Sequence, residues 1–300
     1  MVAPHPISHV SHVKLDSLAV FTDFSAGANT ALKCAAEIAR RFMAGMVLAH
    51  AYNPTPAFVT AEAAMEFEPL DDMRQSVQDR LLEQTEASFL QGVNCTTLLT
   101  MGDATDLLEE LKDTNLIVVG TAGERGLLKA AIGSTAEKVF RTSRLPVLTV
   151  GPHCLCGGEQ GSHIKTVLYS TDFSAGAERA LPYALLFAEE HGAELVLLHV
   201  KDNKHMSITS DCVMAGEKPL DKLHGLVRES TGLQGNPTCI VDFGRPDAVI
   251  LAEASGRKID LIVMGARGTG ALTSIVSHFG GGTAYKVAAG ASCPVLTIRI

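Results

Sequence analysis

The chain has 300 residues, 46% of them hydrophobic, and a formal charge of −8. That length points to two domains, each with room for a core. The acidic balance excludes a nucleic-acid surface of clustered Lys and Arg, and no apolar run reaches the length of a membrane span.

The first stretch, MVAPHPISHVSHVKL (1–15), lacks the apolar core of a secretory signal and reads as a mobile arm. In such an arm His5, His9 and His12 read as solvated side chains before they read as metal ligands. The first predicted strand is SLAVF (17–21), followed by the heptapeptide TDFSAGA (Thr22–Ala28). A helix follows, with apolar residues at Ala28, Ala31, Leu32, Ala35, Ile38 and Ala39, one face at helical spacing. Ser25 is placed to cap it. A second strand, MVLAHAY (46–52), leads into NPTPAFVTAEAAMEFEP (53–69), either a variable loop on its own domain or a lid or docking loop. After another helix come a third strand, CTTLLTM (95–101), and a turn, Gly102-Asp103, that opens a further helix. The fourth strand, LIVVG (116–120), a glycine-rich turn, the helix STAEKVFR and the fifth strand, PVLTV (146–150), complete the unit.

HCLCGGEQGSH (153–163) has no periodicity and reads as a linker. His153, Cys154, Cys156 and His163 are zinc-type residues, but without C-x2-C spacing the linker reading is preferred. Seven cysteines, an odd number spread over a long chain, point to reduced thiols and a cytoplasmic protein.

The series then restarts. TVLYS (166–170) precedes the same heptapeptide at Thr171–Ala177, with Ser174 as cap. The next helix carries Ala177, Ala180, Leu181, Ala184, Phe187 and Ala188, but also Pro182, so it either begins a turn late or kinks. ELVLLHV (194–200), a helix, TCIVDF (238–243), Gly-Arg-Pro-Asp (244–247), LIVMG (261–265), a second glycine-rich turn, a helix and PVLTI (294–298) follow. His50 and His199, late in the second strand of each copy, read as packing or supporting residues rather than catalysts.

The chain is thus a duplication: an α/β protein of two tandem domains, 17–152 and 164–300, joined by 153–163. Each is a five-stranded parallel sheet of Rossmann-like type with helices on both faces, as alternating strands and helices dictate. The continuous apolar runs of the fourth and fifth strands agree with burial on both sides. With strand order 3-2-1-4-5, Asp23 or Asp172 and the glycine-rich turn face one crevice, where the order reverses. In the first copy Gly120, Gly123 and Gly133-Ser134 follow G-x2-G-x9-G-S, with Gly133 and Ser134 directly before a helix. Helix N-terminal amides with their dipole make an anion site, glycine lets a backbone approach a ligand, and Ser134 and Thr135 add hydroxyls. The bland alternatives are that Asp23 and Asp172 only cap helices and that the glycines only serve a tight turn.

These motifs, in this order and covering nearly the whole chain, resemble a tandem universal stress protein. G-x2-G-x9-G-[ST] after the fourth strand is that family's ATP-binding signature. The resemblance implies that Thr22-Asp23 and the Ala51 backbone meet the adenine, while Gly120, Gly123, Gly133, Ser134 and Thr135 meet ribose and phosphates. In the second copy the matching residues are Asp172, Val200, Gly265 and Gly268. There the turn reads G-x2-G-x12-G-G-T, placing Gly281, Gly282 and Thr283 opposite Gly133, Ser134 and Thr135. The longer loop costs more entropy to order, so the first copy is expected to bind more strongly. The ligand implied is ATP, ADP or AMP, with or without Mg²⁺, and no metal site of the protein's own.

The leading reading is a nucleotide-binding regulator of a stress response that acts on a protein partner. The alternatives are a slow ATP or ADP hydrolase and a structural protein with vestigial sites. The sequence has no G-x4-G-K-[ST] loop; Arg125 or Arg267 offers phosphate charge, but no base stands at a fixed spacing. The resemblance further implies pairing of the two last strands into a pseudo-dimer within one chain, with a homodimer as a further step.

Overall fold

Both halves start from the same local chemistry in the computed structural model, which describes residues 13–53, 70–121, 132–152, 154, 164–202, 218–228, 233, 235–266 and 282–299. In the first half β1 (Ser17–Phe21) leads into α1 (Ala26–Phe42), and in the second β6 (Thr166–Ser170) leads into α5 (Ala175–His191). Ser25 and Ser174 cap these helices as expected, accepting from the amides of Ala28 and Ala177. The apolar stripe of α1 is buried along its length. In α5 Leu181 is only half-buried. Helix α5 begins at Ala175 and runs on through Pro182, so a start one turn late is ruled out; Pro182 has no N–H to give the Glu178 carbonyl.

The remaining elements alternate as the sequence predicts. They are β2 (Gly45–Tyr52), α2 (Leu70–Thr85), β3 (Cys95–Met101), α3 (Ala104–Glu110), β4 (Leu116–Gly120), α4 (Ser134–Thr142) and β5 (Val147–Val150). The second half repeats them as β7 (Glu194–Lys201), α6 (Pro219–Val227), β8 (Thr238–Phe243), α7 (Pro246–Gly256), β9 (Leu261–Ala266), α8 (Thr283–Gly290) and β10 (Val295–Arg299). Strand ends move by a residue from the sequence reading; Pro146 and Pro294, which have no N–H for a ladder, stand just outside their strands. Among the described residues no helix is long and apolar enough to cross a membrane.

All ten strands form one sheet, ordered β3-β2-β1-β4-β5-β10-β9-β6-β7-β8. Each half has the expected 3-2-1-4-5 order, and the pairing within each half is parallel. The halves join where β5 meets β10, antiparallel, with Leu148 opposite Leu296. Thr149 Oγ1 donates to the Val295 carbonyl at 3.1 Å and Thr297 Oγ1 to the Val147 carbonyl at 3.2 Å. The junction is therefore pseudo-twofold, and each half covers the edge strand the other would leave bare. Helices α1 and α5 cover one face, where Phe42 meets Phe187 edge to face at 5.3 Å between ring centroids. Helices α3, α4, α7 and α8 cover the other, where Phe140 meets Tyr285 at 5.8 Å. Both cores run through the junction.

Gly120 ends β4 where the first turn of α1 crosses it. A Cβ there would stand 2.6 Å from the Gly27 carbonyl carbon and oxygen, and the twin position Gly265 is as tight against Gly176. Two backbones touch there with no room for a side chain on the strand residue, so Gly120 and Gly265 are required to be glycine. Gly120 and Gly265 thus have a packing role besides the ligand-approach role expected of them. Gly120→Ala is expected to cost about 1–3 kcal/mol, as overpacking does, seen as a lower urea midpoint at unchanged m-value; an unchanged midpoint would refute the contact's importance.

Candidate functional site

The repeated heptapeptide is a compact turn in which every residue has a task. Thr22 Oγ1 accepts from the Phe24 amide at 3.0 Å, and Asp23 accepts from the Ser25 amide at 3.0 Å. The second copy repeats both bonds, Thr171 with Phe173 at 2.9 Å and Asp172 with Ser174 at 3.0 Å. These bonds hold Phe24 and Phe173 in the left-handed region, at φ 63° and 59°. A non-glycine residue there costs roughly 1–2 kcal/mol, offset by the ring contacts that follow. Phe24 lies 4.7 Å from the His50 ring and 4.0 Å from the Arg80 guanidinium; Phe173 lies 4.6 Å from His199 and 5.6 Å from Lys222 Nζ.

His50 Nδ1 meets the Thr22 carbonyl at 2.7 Å, and His199 Nδ1 meets the Thr171 carbonyl at 2.9 Å. Facing a carbonyl, Nδ1 must carry the proton. Burial lowers the His50 pKa, opposed by the Thr22 bond and by Asp23. The histidines thus brace the end of the first strand in both copies, the supporting role their position suggested. Asp23 and Asp172 do act as caps of the turn, yet both remain exposed at the carboxyl edge.

At the carboxyl edge of the second half lies a cavity of about 840 Å³. Asp172 from the end of β6, Val200 from β7 and Gly265 from β9 line it, with Gly282 and Thr283 from the start of α8. Five of the residues singled out for the second copy therefore share one wall, between strands β6 and β9 where the order reverses. Gly268 and Gly281, the other two, lie outside the described residues. Gly282 is the residue before the first turn of α8, with no side chain to satisfy the helix amides, as Gly133 is for α4. Relative to the sequence alignment, α8 starts one residue later than α4. Met264 and Ile250 give the cavity an apolar floor.

In the first half, Gly133 donates its amide to the Thr121 carbonyl at 2.8 Å, which ties the start of α4 to the end of β4. Thr22 and Asp23 follow β1, Ala51 is half-buried near the end of β2, and Ser134 and Thr135 are exposed on the first turn of α4. Gly123 and Arg125 lie outside the described residues, as do Arg267 and residues 54–69. Asp103 caps α3 in a reciprocal box with Asp106 and also holds Lys138 of α4, which brings its pKa down to about 2. In the second half Asp247 takes that place, bonded to Arg245 Nε at 2.9 Å with Lys286 Nζ at 3.9 Å. The Gly102-Asp103 turn is cap chemistry, as read; at Gly244 the turn is present, with φ 143°, but Arg245 gives α7 no side-chain cap.

The cavity also has a wall the sequence did not suggest: Phe140 and Arg141 from α4 of the first half, Tyr285 of α8 and Arg299 ending β10. Their only possible signal lay in the pairing of the fifth strands, which turns the end of α4 toward the second crevice. Of the linker residues, Cys154 is buried and accepts from the Gly151 amide through its sulfur at 3.2 Å; His153, Cys156 and His163 are outside the described residues. Among the described residues no three His, Cys, Asp or Glu gather as a metal site.

Two segments, 15–151 and 163–299, each match the family model described as the universal stress protein family. A universal stress protein of Thermus aquaticus is 36% identical over 139 residues, covering 45% of this chain and 98% of its own. One from Methanocaldococcus jannaschii is 32% identical over 133 residues, covering 43% and 78%. The crystal structure of a universal stress protein from Archaeoglobus fulgidus superposes with a TM-score of 0.73 at 22% identity, over 94% of this chain and 98% of that one, a likeness of fold.

Because the folded protein holds His50 neutral below the ordinary value of 6.5, its contribution to stability is full above that pH. It is lost as pH falls through 6.5 toward the lower folded value, since the unfolded chain takes the proton first. His50→Asn keeps a donor to Thr22 without a titrating ring. Urea unfolding at pH 7.5 and pH 5.5 should show a smaller acid loss in the variant than in the parent; equal losses would show that His50 does not titrate as described.

Proposed function

Since this chain belongs to the universal stress protein family, we propose that its two carboxyl-edge crevices bind adenine nucleotide and that the protein is a regulator, not an enzyme. The observation that carries this is the convergence of Asp172, Val200, Gly265 and the Gly282-Thr283 helix start on one cavity. Such a cavity offers an apolar slot for a base beside main-chain amides for phosphate. In the first half, Thr22, Asp23 and the Ala51 backbone would meet the adenine. Gly120, Gly123, Gly133, Ser134 and Thr135 would border ribose and phosphates. The unbroken G-x2-G-x9-G-S supports the first half as the stronger triphosphate binder. The ligand proposed is ATP, with ADP and AMP as alternatives, and any Mg²⁺ would come as companion of its phosphates rather than as a resident metal.

Occupancy would alter the surface the protein offers at the crevice and so change what a protein partner meets during stress. A hydrolase needs a base or metal poised on water. Near the crevices Asp23 and Asp172 are engaged with backbone amides and the His50 and His199 Nδ1 atoms with carbonyls. That engagement favours binding over turnover. No disulfide forms among the described cysteines, in keeping with the cytoplasmic location proposed.

Purified protein, denatured and analysed by mass spectrometry, should release adenine nucleotide, and ATP added to stripped protein should raise its melting point. Gly133→Asp places a carboxylate at a helix cap, where Asp is favoured, but also where phosphate would sit. It is expected to remove the larger share of the ATP binding heat while the protein stays folded. An unmoved melting point in wild type would end the nucleotide reading, and rapid turnover with Mg²⁺ would end the regulatory one.

A further inference from the structure

The two crevices are not furnished alike. Antiparallel pairing of β5 and β10 sends the carboxyl ends of the two half-sheets to opposite edges. Helix α4 runs antiparallel to β5, as a crossover helix between parallel strands must, and therefore parallel to β10. Its last turn consequently stands beside the second half's crevice. There Arg299 Nη1 donates to the Phe140 carbonyl at 3.2 Å, and Arg141 lies 5.6 Å from the Tyr285 ring. Both arginines are among the residues that line the cavity.

The same symmetry brings the end of α8 to the first half's crevice, where a Cβ on Gly151 would meet the Ala291 carbonyl at 3.3 Å and Thr121 Oγ1 at 3.8 Å. The repeat places Ala289 opposite Arg141 and Gly151 opposite Arg299. One crevice thus receives two arginines, one from each half, and its twin receives an alanine and a glycine at the matching positions.

Two permanent cations brought to one partly buried cavity repel each other. Burial first, and the Arg141 charge second, lower the Arg299 pKa. Glu137 takes only Arg141 Nε, at 2.9 Å. The acids on the cavity wall, Asp172 and Asp202, come from the far strands β6 and β7 or just beyond; Asp172 accepts from Ser174. An anion between the guanidinium groups and the α8 amides would relieve the repulsion.

We propose that Arg141 and Arg299 form a polyphosphate-binding wall of the second crevice, so that a nucleotide there is held by both halves of the chain, whereas the positions matching these two arginines at the first crevice, Ala289 and Gly151, offer no such charge. This rests on the adenine-nucleotide reading for the base, but not for the anion. It also gives the second copy, with its longer glycine loop, a separate means of holding phosphate, and it makes the second site sensitive to the junction between halves.

The test uses the full-length chain with one crevice blocked at a time. Gly133→Asp leaves the second crevice open. Gly282→Asp, where a Cβ meets nothing within 4 Å, leaves the first. ATP and, separately, inorganic tripolyphosphate are titrated into each background with and without Arg141→Gln. In the Gly133→Asp background Arg141→Gln should weaken both ligands about tenfold, the scale of a hydrogen bond between charged groups. It should weaken AMP less and leave the Gly282→Asp background unchanged. Arg299→Gln should repeat the pattern, which guards against a local fault in α4. Equal effects in both backgrounds, or no effect on either ligand in the first, would overturn the proposal. Tripolyphosphate binding that depends on Arg141, without any ATP preference over it, would keep the arginine wall and overturn the adenine reading instead.

Discussion

The antiparallel contact between β5 and β10 is the constraint on which the rest of the molecule turns. Each half is an open parallel sheet whose fifth strand is an apolar edge, and such an edge in water invites pairing with any other. Joining the two edges closes both liabilities at once and lets the cores on both faces run through the junction. Two buried threonines, Thr149 and Thr297, bond across to opposite carbonyls. Their hydroxyls are thereby satisfied inside a dry sheet, which fixes the register about Leu148 and Leu296.

From that contact follows the placement of the crevices. Parallel strands put all their carboxyl ends on one edge of a half-sheet, and an antiparallel junction puts the two edges on opposite sides. A fold that is nearly symmetric in sequence then becomes asymmetric in chemistry, because α4 and α8 each end at the other half's crevice. At the ends of α4 and of the fifth strands the copies differ: Arg141 aligns with Ala289, and Arg299 with Gly151. The interior has diverged less, since the close approach of Gly27 to Gly120, and of Gly176 to Gly265, admits no side chain.

The heptapeptide shows how one short sequence can serve packing and binding together. Thr22 and Asp23 each accept from the amide two residues ahead, Phe24 takes a strained backbone held by His50 and Arg80, Ser25 caps α1 and Gly120 lets β4 close on the Gly27 backbone. The result projects Asp23 at the carboxyl edge while its neighbours are fixed. A ligand site needs such rigidity, because a side chain already held loses little entropy on binding.

Much of this was legible in the sequence because it is local or periodic. The duplicated heptapeptide, the Ser caps, the apolar runs of the central strands and the glycine spacing each depend on near neighbours, and they set the two α/β units, while the 3-2-1-4-5 order is an assumption that the structure bears out. Two things needed the tertiary structure. Gly120 read as a ligand-facing residue, and nothing in the sequence hinted at its packing role against a backbone 93 positions earlier, at Gly27, that only the α1–β4 crossing brings into contact. Arg141 and Arg299 carried no motif at all; their meeting depends on the direction in which two distant edge strands pair, and strand polarity across a junction is set by the packing of whole sheets rather than by any residue alone.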